Sequence, residues 1–323
     1  MSELVSVVVC AYNNWPDLEL AIQSALCQSH PPVEVIVVDN SSTDATAVEV
    51  PARFGTRVRY IRQPNTGDGG AYNAGLAAAR GAFLQFLDGD DVLAPNKIEK
   101  QLGVFRSDPD ADIVFGDVRH FQSLPGEAHW TDIERNDEDV GVEPFLQSEG
   151  DCVGSALGVL FRRRAFDCVG KWDETLYRCD ADYFLRAAVA GCRFRYSPGG
   201  PMSFKRVRPG QMGLDTTAML EGSEALWVKA LGYFTEPAHL ERIRFNLARA
   251  RFLRALRGDR IRRRRAIALC SEARRTSPAA VPVSAYAAGI ALIQLPGRRY
   301  LATSPRLRTL RRMMTRLLGY RPG

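Results

Sequence analysis

Four times between Leu4 and Asp91 a short apolar run stops at a polar cluster and a helical pattern follows. Leu4 to Ala11 is a continuous, Val-rich run, as expected for a strand covered on both faces. Asn13-Asn14-Trp15-Pro16 ends it and opens a helix with Pro near its first turn. Leu18, Ala21, Ile22, Ala25 and Leu26 then share one helical face. Val33 to Val38 predicts a second strand, closed by Asp39 to Asp44, a loop rich in helix-capping residues. Val58 to Gln63 predicts a third strand, Asn65 to Gly70 a Gly-rich turn, and Ala71 to Ala79 a helix. Ala82 to Leu87 predicts a fourth strand, and Asp88-Gly89-Asp90-Asp91 follows at once. A helix from Pro95 through Phe105 and a short strand at Ile113 to Phe115 continue the alternation.

Strands alternating with helices predict right-handed crossovers and an α/β fold with a mostly parallel central sheet flanked by helices. Ligands of such sheets bind at the carboxyl ends of the strands. The polar clusters at 11–14, 39–44, 65–70 and 88–91 each follow a strand, so this topology gathers four loops around one crevice. Residues 120–155 are less regular and acidic, and read as a flexible excursion over the site. Order returns from Ser155 to Ser197, with a strand at Ala156 to Phe161 and helices around Arg164 to Val169 and Ala181 to Ala190. From about Asp215 the chain reads as helical. The expected division is a catalytic domain at 1–213 and a helical, Arg-rich region at 214–323.

Composition narrows the class. The chain has 323 residues, 46% of them hydrophobic, enough for a large domain and a smaller one. Mean hydropathy is slightly negative, which argues against a polytopic membrane protein. Met1 to Leu4 lead straight into the apolar run without a basic segment or a cleavage site, so a cytoplasmic location is expected. The seven cysteines lack CxxC spacing, which fits reduced thiols better than a disulfide framework or a zinc site. The net charge of +6 resolves into +18 from Glu241 onward, carried by 21 Arg, and −12 over the first 240 residues. Two bodies of opposite sign suggest an acidic catalytic part and a basic anchoring part.

Asp88, Asp90 and Asp91 lie within four residues and repel one another unless a cation neutralises them. Their hard oxygens suit a divalent cation, Mg²⁺ or Mn²⁺. The plain alternative is a solvated acidic turn that caps the next helix. Asp39, at the end of the second strand, is placed to accept hydrogen bonds from a nucleotide, or to cap a helix. The glycines of Asn65 to Gly70, with Asn73 and Gly75, suit either close approach to a ligand or an ordinary loop. The cluster is not GxGxxG, which disfavours a nicotinamide cofactor. Asp180 and Asp182 open a helix after Trp172-Asp173-Glu174, where a carboxylate acts as a general base or as a cap.

Taken together these clusters resemble glycosyltransferase family 2, an inverting family with the GT-A fold. The resemblance runs from Val5 through Asn13, Val35 through Asp44, Asn65 through Gly75, Phe86 through Asp91, Gly170 through Glu174 and Asp180 through Arg186, in order, over roughly residues 4–213. It implies a nucleotide-diphosphate-sugar donor, with UDP or dTDP preferred, and a hydroxyl on a glycan or lipid-linked acceptor. Ala11, Tyr12, Asn13, Asp39, Asn65, Gly67, Asn73, Asp88, Gly89, Arg206 and Arg208 would then bind the donor. Asp90, with Asp88, would bind the metal. Asp91 and Trp172 would face the donor sugar or acceptor, and Asp180 would be the catalytic base. Three positions depart from the family pattern: Cys179 for the usual Glu before the base, Arg208 for a common His, and Tyr72 for a frequent Arg.

Two rival readings are a nucleotide-sugar-binding protein without transfer activity and a sugar-1-phosphate nucleotidyltransferase. The second wants a Gly-rich, basic loop after the first strand, where this chain has Tyr12-Asn13-Asn14-Trp15. In the tail, Arg242 to Arg265 read as a basic helical segment, Ala279 to Leu295 as an apolar stretch short for a membrane span, and Arg306 to Arg316 as a basic amphipathic helix. Attachment to the anionic inner face of a membrane and a packed helical appendage both fit. Aromatics are sparse there, which disfavours nucleic acid.

Overall fold

The structure is a computed structural model. It describes residues 3–122, 133–134, 140–148, 153–208, 211, 215–257, 263–279, 281 and 286. The chain divides into two compact units, Met1–Pro209 and Gly210–Gly323.

In the first unit β1 (Val5–Ala11) is buried at every position, as its unbroken Val-rich run requires. The helix α1 (Asp17–Leu26) covers it with Leu18, Ala21, Ile22 and Ala25, the face read from the spacing. There follow β2 (Val33–Asp39), α2 (Thr46–Phe54), β3 (Val58–Arg62) and α3 (Gly67–Ala78). Next come β4 (Phe83–Asp88), the two-residue β5 (Val92–Leu93), α4 (Lys97–Ser107) and β6 (Ile113–Phe115). The chain continues through β7 (Val118–Phe121), β8 (Ile133–Glu134), α5 (Val142–Gln147), β9 (Val159–Arg162) and α6 (Arg163–Val169). It closes with α7 (Cys179–Val189), β10 (Phe194–Tyr196) and β11 (Ser203–Arg206).

Among the described residues the main sheet has the order β10-β6-β9-β4-β1-β2-β3. All its pairings are parallel except those of β9 with β4 and with β6. The expected mostly parallel sheet is therefore present. A smaller sheet, β5-β11-β7-β8, lies at the ends of these strands and carries the basic segment of β11.

Two expectations change. The Gly-rich stretch read as a turn forms the first turns of α3, which begins at Gly67 rather than Ala71. A Cβ on Gly75 would collide with the side chain of Val8, so glycine there lets α3 press against β1. The stretch 120–155, read as a flexible excursion, lies in large part outside the described residues, but its described part includes regular elements. It contributes the end of β7 and the helix α5, whose Phe145 and Leu146 are fully buried.

Below the sheet, α4 inserts a fully enclosed Lys97. Its ammonium donates to Oε1 of Gln101 at 2.6 Å and to Oε1 of Gln85. Gln85 lies on β4, so this contact fixes the strand that delivers Asp88.

The second unit consists, among the described residues, of α8 (Thr216–Ala230), α9 (Pro237–Arg257) and α10 (Arg263–Thr276). Ala248, Phe252, Ala255, Leu269 and Cys270 form its core. Part of the basic face expected at Arg242 to Arg265 is neutralised within this unit. Arg251 pairs with Glu224 at 2.9 Å, and Arg254 with Glu221 and Glu224 at 2.6 and 2.7 Å. The amphipathic pattern of Arg306 to Arg316 lies outside the described residues, as does most of Ala279 to Leu295. Among the described residues no helix is long and apolar enough to cross a membrane.

Candidate active site

The loops after β1 and β2 are laced together. Asn13 sits in the left-handed region at φ 50°. Its N–H donates to Ser42 Oγ (3.0 Å), and its Oδ1 accepts the Thr43 N–H (2.7 Å). Asp39 is fully enclosed at the end of β2. Its Oδ1 accepts the Ser42 N–H at 2.7 Å, and its Oδ2 accepts the Tyr60 hydroxyl at 2.5 Å. Its carboxylate, expected to meet the nucleotide, thus shapes the loop that faces the crevice. Tyr12 is 53% exposed, a large apolar ring left open at the crevice edge.

The acidic turn after β4 sends its three carboxylates in different directions. Asp88 accepts the Tyr72 hydroxyl at 2.8 Å. Asp90 pairs with Arg208 at 3.2 Å and lends its backbone carbonyl to Arg206 Nε at 3.1 Å. Asp91, expected to face donor sugar or acceptor, is turned inward and 1% exposed. Its Oδ1 accepts the Arg206 N–H at 2.8 Å, so it ties the turn to β11 instead. Gly89 is obligatory because a Cβ there would strike the Asn14 side chain and the Cys10 carbonyl.

Asp180 stands half-buried in the first turn of α7, its Oδ1 accepting the Ala181 N–H at 2.7 Å. The neighbouring Asp182 points into the protein and pairs with Arg186 at 2.8 Å. The helix therefore offers the crevice Asp180 and not Asp182. Asp68, at the start of α3, joins the same group; it was missed because its stretch read as a loop of glycines. Burial and the charges of Asp88, Asp180 and Asp90 push its carboxyl up to about 7. Burial and the charges of Asp90 and Asp180 push Asp88 up to about 6, against the Tyr72 hydroxyl and Lys205, which hold it down. Burial also raises Asp90, opposed by Arg208. The structure thus brings Asp68, Asp88, Asp90 and Asp180 within electrostatic reach of one another.

Two expected ligand contacts belong instead to the scaffold. Trp172 is 2% exposed and packs among Tyr183, Tyr72 and Phe86, at ring-centroid distances of 4.3, 5.2 and 5.2 Å. Asn73 is buried. It donates to the Trp172 carbonyl (3.0 Å) and to Glu174 Oε1 (2.8 Å), and accepts the Trp172 N–H (3.0 Å). It fixes the loop that leads into α7, and both of its amide N–H groups are committed to that loop. Asn65 caps α3 by accepting the Gly67 N–H at 3.0 Å, and the Gly67 carbonyl accepts from Asn40 at 3.1 Å. Arg206 is buried, stacked 4.6 Å over the Phe121 ring, whereas Arg208 is 41% exposed.

The family model for glycosyl transferase family 2 matches residues 6–170, just over half of the chain. The chain belongs to glycosyl transferase family 2. It is 31% identical over 186 residues to an uncharacterized glycosyltransferase of Nostoc, a match covering 55% of this chain and 56% of that protein. It is 33% identical over 196 residues to the succinoglycan biosynthesis protein ExoO of Rhizobium meliloti, covering 58% and 56%. The chain thus spans little more than half the length of these relatives. In fold it is similar to S. aureus TarS in complex with UDP-GlcNAc, with a TM-score of 0.64 at 18% identity over 98% of this chain and 92% of that one. It is also similar to the mannosyltransferase PcManGT of Pyrobaculum calidifontis in complex with GDP-Man and Mn2+, with a TM-score of 0.55 at 19% identity over 97% and 84%. The chain therefore carries a glycosyl transferase family 2 domain with the GT-A fold.

Where family 2 often places an arginine, this glycosyltransferase sets the Tyr72 hydroxyl against Asp88, and that hydrogen bond favours the ionised carboxylate. Tyr72→Phe should therefore move the Asp88 titration midpoint in the metal-free protein above its wild-type position near 6. Carboxyl-carbon NMR reads this directly, and a midpoint that stays put or falls contradicts the assignment.

Proposed function

We propose that this glycosyltransferase moves a sugar from a nucleotide-diphosphate donor, a UDP- or dTDP-sugar, to a hydroxyl of a glycan or lipid-linked acceptor, with inversion at the anomeric carbon. The observation that carries this reading is the meeting of Asp180, from the start of α7, with the Asp88–Asp90 turn at the end of β4. The UDP-GlcNAc held by the TarS neighbour supports a uridine donor.

The crevice fits a divalent cation. Burial raises the carboxyl groups of Asp88 and Asp90 despite the Tyr72 hydroxyl on one and Arg208 on the other, as expected of crowded hard-oxygen ligands. Among the described residues no group of three or more His, Cys, Asp or Glu is arranged to hold a metal by itself. Ions of the Mg²⁺ or Mn²⁺ kind take one or two carboxylates and complete their shell with substrate phosphates and water. Such an ion on Asp88 and Asp90 supplies positive charge to the departing diphosphate.

The chain's own residues do the rest. The laced loops at 11–14 and 40–43 present backbone groups and the exposed Tyr12 ring to the base and ribose, with Asp39 holding them in place. Arg208, exposed at the rim, offers a fork to the diphosphate oxygens. Arg206 holds the acid turn from behind. Asp180 takes the proton of the acceptor hydroxyl as that oxygen attacks the anomeric carbon opposite the leaving diphosphate. The strongly basic C-terminal region supports peripheral contact with an anionic, cytoplasmic membrane face, where lipid-linked acceptors reside.

Asp180→Asn should leave donor binding intact by thermal shift and lower turnover by about 10²–10⁴-fold, as loss of one positioned base does; normal turnover contradicts its role. Replacing Arg306, Arg308, Arg311, Arg312 and Arg316 together by Gln should abolish co-sedimentation with phosphatidylserine vesicles. Equal sedimentation of variant and wild type contradicts the membrane contact.

A further inference from the structure

The rim of the crevice contains an ion-pair arrangement that the reaction as proposed does not use. Asp17, the first residue of α1, receives two arginines. Its Oδ1 lies 3.3 Å from Arg206 Nη2, and its Oδ2 lies 3.3 Å from Arg208 Nη1. The other arm of Arg208, Nη2, lies 3.2 Å from Oδ2 of Asp90. One guanidinium therefore spans a helix carboxylate and the carboxylate best placed to hold a cation. The two arginines differ in freedom. Arg206 is fixed by the Asp90 carbonyl and the Phe121 ring, whereas the Arg208 side chain is 41% exposed. Asp17 sits at a helix N-terminus, where the helix dipole favours its charge.

A cation bound to Asp90 Oδ2 would stand about 2.1 Å from that oxygen. The Arg208 guanidinium already contacts that atom at 3.2 Å, and two positive groups beside it repel across a partly buried gap. They cannot both hold it closely. We propose that Arg208 is the resident counter-ion of Asp90, and that Asp17 is a positioning residue that parks it there. Arrival of cation and donor exchanges the partners: the cation takes Asp90, Arg208 turns to the diphosphate, and Asp17 keeps β11 docked through Arg206. This rests on the metal reading above and adds a consequence to it. Arg208 weakens cation binding when no diphosphate is present and loses that effect when a diphosphate gives it another partner. Cation and donor then bind cooperatively, and by linkage each strengthens the other by the same factor.

The test is calorimetric titration of MnCl2 alone into the full-length wild type, Arg208→Gln, Asp90→Asn and Lys205→Gln. Lys205 acts through its charge on the neighbouring Asp88 and Asp91, so its variant measures the general effect of losing one positive charge. The expected result is Mn²⁺ binding about fivefold or more tighter in Arg208→Gln than in wild type. Lys205→Gln should change by less than about half that factor, and Asp90→Asn should lose binding. Equal affinity of Arg208→Gln and wild type, an equal gain in Lys205→Gln, or no Mn²⁺ binding to Arg208→Gln overturns the exchange. Undiminished binding to Asp90→Asn overturns instead the metal reading on which it rests. A melting transition equal to wild type in Arg208→Gln separates these outcomes from misfolding.

Discussion

The mutual repulsion of four carboxylates governs this molecule's active face. Asp68, the Asp88–Asp90 turn and Asp180 come from three separate segments, and folding drives the four carboxylates together in a partly dry crevice. Carboxyl groups pushed up to about 7 and about 6 hold protons in the folded state that they release when unfolded. The sign is fixed. Their contribution to stability is fully present below the ordinary carboxylate range and is lost as pH rises through those two values. At neutral pH the ligand-free fold therefore carries an electrostatic strain that a bound cation relieves. The transferase reading depends on that strain being directed at a ligand.

The scaffold around the crevice is correspondingly rigid. Asp39 spends its oxygens on the Ser42 N–H of the loop beside it and on the Tyr60 hydroxyl of β3, and Asn73 spends its amide on the turn before α7. Asp91 ties the acid turn to β11, and Arg186 clamps the 169–171 turn through the carbonyls of Val169 and Lys171 at 2.9 Å each. These are polar groups placed where a nucleotide-binding motif leads one to expect ligand contacts. Their work is to hold Asp88, Asp90 and Asp180 at fixed separation, so that in the proposed reaction these groups need little reorganisation when substrate arrives.

The sheet and the carboxylates that matter most were legible in the sequence for physical reasons. A buried parallel strand must be apolar throughout, so β1, β2 and β4 announced themselves. Ligand loops must follow such strands, so Asp88 and Asp90 stood out. The failures have equally definite causes. Glycine has no side chain to report what lies beside it, so the packing glycines of α3 read as a loop and concealed Asp68. Asp91 and Asp88 look alike in a run of acids, and only the strand β11 arriving from more than 100 residues away decides which is turned inward. Trp172 carries the look of a sugar platform, yet its neighbours Phe86, Tyr72 and Tyr183 come from distant segments and enclose it.

The central claim is that the Asp88–Asp90 turn holds a divalent cation against the donor's diphosphate. Diffraction from crystals grown with Mn²⁺ and a UDP-sugar, collected at the manganese absorption edge, tests it most directly. The account predicts one strong anomalous peak bridging Asp90, Asp88 and the diphosphate, within reach of Asp180 through the donor sugar. A bound donor with no peak at that turn, or with manganese seated elsewhere, would contradict it.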